Sequence, residues 1–301
     1  MHFGSDYVVA AAELGVYIPC IMLACLVCAR HGFSRSSGWY YTFTLCLIRI
    51  AGAVCQLLTL TDHSIGLLEA VLVLAHIGLS SLILSTLGML SRIADWINGR
   101  CSSPPLSMRY FRLAQLVVVV GIILGIIGAI QSSDSSKRAA DGSPAALSKV
   151  AVVCYVAGYA MLVFLTARAL ASRSLVPNKE LLLVAAVCVT MPLVFIRLIY
   201  QVLLVFVHRG DFKRINAPVV PLVLMSVVEE FLTVFIYLFV GMRLGKLDGL
   251  EQGPISSRPW RIRGKTKRRG RRRGRDAEYQ YPIVHGYQAP MPMEYEMGRI
   301  P

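Results

Sequence analysis

The chain has 301 residues, of which 55% are hydrophobic and 16% charged, with a mean hydropathy of +0.60; soluble domains run at about 45–50% apolar and about 25% charged. That balance excludes a water-soluble globule, the long apolar runs exclude a disordered chain, and a disulfide scaffold is excluded because most of the eight cysteines sit inside those runs. The net charge is +14: residues 1–243 hold 18 Lys and Arg against 11 Asp and Glu, and the last 58 residues hold 13 against 6, which describes a polytopic membrane protein with a basic tail.

A spanning helix needs about 20 mostly apolar residues, because hydrocarbon leaves backbone N–H and C=O groups to be satisfied within the helix. Seven stretches qualify, at residues 7–29, 39–60, 67–91, 113–130, 149–170, 181–206 and 219–243. The breaks between them carry Gly, Pro, Ser or charge clusters, and the segment from Arg92 to Arg112 contains Pro104 and Pro105. The expected fold is an all-α seven transmembrane helix bundle over residues 1–245, followed by a disordered, Arg-rich cytosolic tail over 246–301. The first apolar run is too long for a cleaved signal peptide, and no basic region precedes it.

Orientation follows the placement of Lys and Arg beside the spans. With the N-terminus outside, the cytosolic side collects 23 of the 31, the outer side collects six, and Arg49 and Arg197 lie within spans. The outer loop HRGDFKR runs against the trend, with Asp211 offsetting part of its charge.

A charge within the bilayer persists when it is paired, hydrated or useful. Span 1 carries Glu13 and span 2 carries Arg49 and Gln56 on one face; span 3 carries His76 and Ser80, with Glu69 above them. In span 6, Thr190, Arg197 and Gln201 form a stripe, interrupted by Pro192. In span 7, Ser226, Glu230, Thr233 and Tyr237 follow helical spacing, while Glu229 points about 100° away from Glu230. Pro218 and Pro221 at its head, like Pro192, free backbone carbonyls. Counting depth brings Glu13, Arg49, Gln56, His76, Arg197, Tyr200, Glu229 and Glu230 toward one cluster in the outer half of the bundle. That cluster is either a ligand, ion or proton site, or a set of interhelical ion pairs, Arg49 and Arg197 against Glu229 and Glu230, that fixes helix register. In span 4, Gly121, Gly125 and Ala129 form a small-residue ridge, which serves either internal packing or a homodimer.

Several chemistries lack their residues. No span centre holds a Schiff-base lysine, and of six histidines only His76 lies within a span, so neither a retinal protein nor a zinc hydrolase fits. No phosphate-binding glycine loop occurs, and buried Ser and Cys lack a catalytic partner pattern, so no metal, cofactor or catalytic residue is expected. In the tail, 11 of the 18 residues from Arg258 to Arg275 are Lys or Arg. Trp260, Arg261, Arg263, Lys265, Lys267, Arg268, Arg269, Arg271, Arg272 and Arg273 are the expected contacts to anionic lipid at the cytosolic face; nucleic acid is not an expected partner of a membrane-tethered chain.

Glu13, RHGFSRSSGWYY, LCLIRIAGAVCQL, GLLEA, GLSSLILSTLGMLSR, RLIY and EEFLTVFIYLFVG, in that order, resemble a fungal family of seven-span integral membrane proteins known as domain of unknown function 7702, over roughly residues 1–245. The resemblance implies a fungal membrane protein, brings no established activity and does not reach the tail. The leading functional expectation is a receptor-like or sensor-like bundle; a small-molecule or lipid transporter is the alternative, and a membrane enzyme comes third. The third span ends in SRIADW, where Arg92 can pair with Asp95.

Overall fold

The computed structural model of the chain describes residues 3–31, 37–59, 61, 64–101, 106–133, 146–178, 180–206, 227–245 and 255. Among these residues the regular structure is all helical. Seven α-helices follow one another: α1 (Phe3–His31), α2 (Ser37–Leu58), α3 (Ile65–Arg100), α4 (Met108–Ser133), α5 (Ala146–Ala171), α6 (Leu181–Phe206) and α7 (Val228–Arg243), with a single 3-10 turn at Arg173–Leu175 between α5 and α6. Six of them, all but α7, are long and apolar enough to cross a membrane.

The burial pattern is that of a protein whose surroundings are apolar. Down α1 the exposed side chains include Val8, Ile18, Met22 and Leu26, and α4 exposes Leu113, Leu116, Ile123 and Ile127. In water each such side chain left out would forfeit roughly 1.5–3 kcal/mol. The interior, by contrast, holds His76, Ser80, Thr190, Arg197, Gln201 and Glu230. Helix α5 shows how the inward faces are chosen: Ala151, Tyr155, Gly158, Leu162, Leu165 and Ala169 recur every three or four residues and form one buried stripe.

Helix α3 is the axis of the bundle. It packs against α2, α4, α5 and α6, while α7 closes against α1, α2 and α6. Its apolar stretch is 69% buried, against 22–44% in the other five long helices. With 36 residues it is about 54 Å long, well beyond the roughly 30 Å of a hydrocarbon core. The helix therefore does not stop at Arg92, where the sequence turns polar, but continues to Arg100 because its polar residues find partners. Asn98 Nδ2 donates to the Leu106 carbonyl at 2.7 Å and its Oδ1 accepts from the Leu106 N–H at 3.2 Å. Arg100 Nη1 donates to the Leu175 carbonyl at 2.6 Å.

Helices α4 and α5 approach closely along the small-residue ridge. A Cβ at Gly121 would stand 2.8 Å from the Tyr155 ring, and one at Gly128 would stand 2.6 Å from the Ser148 backbone nitrogen. Gly125 faces Tyr155 and His76. Gly121 and Gly125 are thus the seat of α5 within the same chain.

Contacts between distant segments join the C-terminal ends of α1 and α7 at one end of the bundle. Arg30 donates to the Met242 carbonyl at 2.8 Å, and His31 meets the Gly241 carbonyl at 2.9 Å while stacking on Trp39. The end that holds these contacts also carries exposed Arg30, Arg100, Arg109, Arg112, Arg168, Arg173 and Arg243. Asp95 and Glu180 at the same end are buried. Beyond α7, Ile255 packs against the core and its N–H donates to Asp95 Oδ1 at 3.1 Å. Ser226, Pro218, Pro221 and the tail residues from Trp260 to Arg273 lie outside the described residues.

Candidate functional site

Glu230 is fully buried on α7, and it takes both arginines. Arg49 of α2 donates from Nε to Glu230 Oε2, with Nη2 ion-paired to the same oxygen. Arg197 of α6 donates from Nε to Oε1 at 2.6 Å. One carboxylate therefore joins three helices, each of its oxygens facing its own guanidinium. Charge-assisted contacts of this kind are short and directional, and they offset the several kcal/mol per ion of desolvation only when both sides are matched.

Further groups surround this clamp. Glu13 of α1 comes within 3.7 Å of Arg49 Nη1, and Gly78 of α3 flanks Arg49 and Glu230. The Arg197 guanidinium lies 5.7 Å from the Tyr200 ring centroid, one turn further along α6. Gln201 Nε2 meets His76 Nδ1 at 3.5 Å, which ties α6 to α3. Arg197 Nη1, Glu229 Oε2 and Tyr17 Oη are among the buried polar atoms that have no hydrogen-bond partner among the described residues.

Most of the sequence-derived cluster is brought together: Glu13, Arg49, His76, Arg197, Tyr200 and Glu230 connect through the contacts above. Gln56 is half-buried two turns along α2 from Arg49. The expected pairing of two arginines with two glutamates is corrected, because Glu230 alone receives both and Glu229 pairs with neither. The physical reason is rotational: the side chains of adjacent helical residues diverge by about 100°, and α7 aims Glu230 at the axis between α2 and α6. Sequence reading did not single out Tyr17, although it stands one turn from Glu13 on the same face, nor did it single out Gly78.

Two further sets of polar contacts lie from the clamp toward the arginine-rich end. Tyr237 of α7 donates to Thr86 Oγ1 of α3 at 2.8 Å and shares a 2.8 Å hydrogen bond with Thr190 of α6. Beyond it, Arg92 of α3 donates from Nη2 to Glu180 Oε1 at 2.5 Å and from Nε to Oε2 at 3.1 Å, and reaches the Gly245 carbonyl at 3.3 Å. Arg92 thus takes Glu180, just before α6, where the sequence had offered Asp95. A carboxylate 88 residues away forms the two-pronged pair, because Glu180 lies opposite Arg92 in the folded bundle.

Fold and site together define an α-helical bundle, apolar outside and charged inside, with six helices long and apolar enough to cross a membrane. The chain belongs to the family described as Domain of unknown function (DUF7702), whose match covers residues 4–247. No curated protein and no solved structure matches it.

Proposed function

We propose that the chain is a seven-span membrane protein, N-terminus outside and C-terminus cytosolic, that works as a receptor-like or sensor-like bundle with its polar site in the outer half. For the seventh span, the support is that α7 packs lengthwise against α1, α2 and α6 and follows an apolar stretch of sequence. For the orientation, the support is the set of exposed arginines at one end. On that orientation, Glu230 lies 13 residues, or about 20 Å, from Arg243 at the cytosolic end, and Arg49 lies nine residues, or about 14 Å, from Leu58 at the outer end. The tail run from Arg258 to Arg275 adds to the same positive face and suits contact with anionic lipid.

The observation that carries the sensor reading is the repetition of one connection at three levels. Helices α3, α6 and α7 are tied by His76–Gln201 with Arg197–Glu230, then by Thr86–Tyr237–Thr190, then by Arg92–Glu180 with Gly245. A change of partner at Glu230 shifts α6 against α7, and the same two helices carry the lower contacts. Packed elements with discrete arrangements transmit such a shift further than a deformable interior would.

Hydrogen–deuterium exchange on the full chain in lipid nanodiscs tests this reading. In Glu230→Gln, exchange is expected to quicken both around residues 195–201 and at the far end, in peptides covering 92–101 and 172–184. Acceleration confined to the neighbourhood of the substitution would refute transmission and leave the cluster as a local brace.

A further inference from the structure

The charges of the buried cluster do not balance. Arg49 and Arg197 supply two positive charges, and Glu13, Glu229 and Glu230 supply three negative ones when all are ionised. Glu230 is matched by both guanidiniums, and Glu13 lies beside Arg49. Glu229 is the remainder. It is 7% exposed, and it feels the charges of Arg197 and Glu230; among the described residues its Oε2 has no hydrogen-bond partner and its carboxyl pairs with no cation. The groups that face this part of α7 are Glu13 and Tyr17 from α1, Arg49 from α2, and Arg197 with Tyr200 from α6; His76 of α3 stands behind Gln201.

An unpaired carboxylate is expensive to bury, and adding a proton removes its charge at no cost in volume. Among the described residues both guanidiniums pair with Glu230, and neither pairs with Glu229. We propose that Glu229 is a proton-binding site, separate from the Arg49–Glu230–Arg197 clamp, and that the cluster closes at zero net charge when this proton is bound. The proton comes from bulk water and returns to it, and no other bond is made or broken. The inference rests on the geometry and charge count of the cluster and not on the sensor reading, because a bundle that transmits nothing would hold the same proton.

Infrared spectroscopy of the full chain in nanodiscs in heavy water, at neutral pH, distinguishes a carboxylic acid from a carboxylate. The difference spectrum between wild type and Glu229→Gln is expected to lose one carboxylic C=O stretch, while Glu13→Gln and Glu230→Gln lose carboxylate stretches only. Loss of a carboxylate pair in Glu229→Gln, with the carboxylic band untouched, would overturn the proposal and hand the balancing charge to His76. The thermal unfolding midpoint of each variant reports whether it is folded. Should Glu229→Gln fail to fold, Glu229→Asp shifts the carboxylic band if the proposal holds and only carboxylate bands if it does not. The exchange experiment on Glu230→Gln reads a different quantity, so the two ideas fail separately.

Discussion

Removing Glu230 is the sharpest perturbation the bundle offers. In Glu230→Gln, Arg197 loses the carboxylate that faces its Nε, and Arg49 keeps only Glu13 at 3.7 Å. Breaking a buried pair from one side costs about 3–5 kcal/mol, since the surviving charge stays desolvated. Glu230→Gln strands two cations and should sit at the top of that range. Arg49→Met should cost less, because Arg197 still matches Glu230 and the Arg49 side chain is 13% exposed, against 3% for Arg197. At roughly 2–4 °C per kcal/mol for a domain of this size, Glu230→Gln should lower the unfolding midpoint in detergent by about 10–20 °C. The double variant Arg49→Met/Glu230→Gln should fall short of the sum by about 2 kcal/mol or more, the coupling expected of residues in direct contact. The same cycle with Glu229→Gln in place of Glu230→Gln should give coupling near zero. Equal coupling to both glutamates, or none to Glu230, would refute the assignment of both arginines to one carboxylate.

Tyr237→Phe removes a hydroxyl that bonds Thr86 and Thr190, and it should cost about 1–3 kcal/mol by calorimetry, with both threonines keeping their backbone contacts. Gly128→Val places side-chain atoms against the Ser148 backbone and should separate α4 from α5, lowering the midpoint by the equivalent of about 1–3 kcal/mol or more, whereas substituting exposed Ile127 by Val should leave it nearly unchanged. Arg92→Met should destabilise the arginine-rich end and quicken proteolysis between α5 and α6, and Glu180→Gln should reproduce the effect, because each leaves its partner buried alone. Protease protection of tagged chains in sealed membranes should find the N-terminal tag outside and the C-terminal tag in the cytosol; both tags on one side would contradict the seven-span reading.

The six long helices were legible because an apolar run of twenty residues has few other uses, and the rarity of charge within apolar stretches singled out Arg49 and Arg197 in two of them and Glu230 in the seventh helix before any contact was known. Helix rotation was not legible. Glu229 and Glu230 are adjacent and chemically identical, and only the packing of α7 against α2 and α6 decides which one enters the clamp. The continuation of α3 past Arg92 was hidden for a different reason. SRIADWINGR reads as a polar break when taken alone, and the partners that keep it helical and buried, Glu180, Leu175, Gly245 and Ile255, lie 75–160 residues further along. Small-residue spacing announced a close contact on α4, yet spacing alone does not say whether the neighbouring helix comes from the same chain.

The Glu13–Arg49 contact takes on a different meaning when the bundle is followed in the order of its synthesis. On the proposed membrane topology Arg49 enters the bilayer 181 residues before Glu230 exists, a wait of about 10–40 s at translation rates of roughly 5–20 residues per second. Glu13 is already there, 36 residues ahead of Arg49 on the neighbouring helix. The first two helices thus carry one buried carboxylate and one buried guanidinium between them before α7 is made, and the 3.7 Å contact joins these two in the finished bundle. In that order of synthesis Glu13 is the carboxylate at hand for Arg49 until α7 brings Glu230 to it.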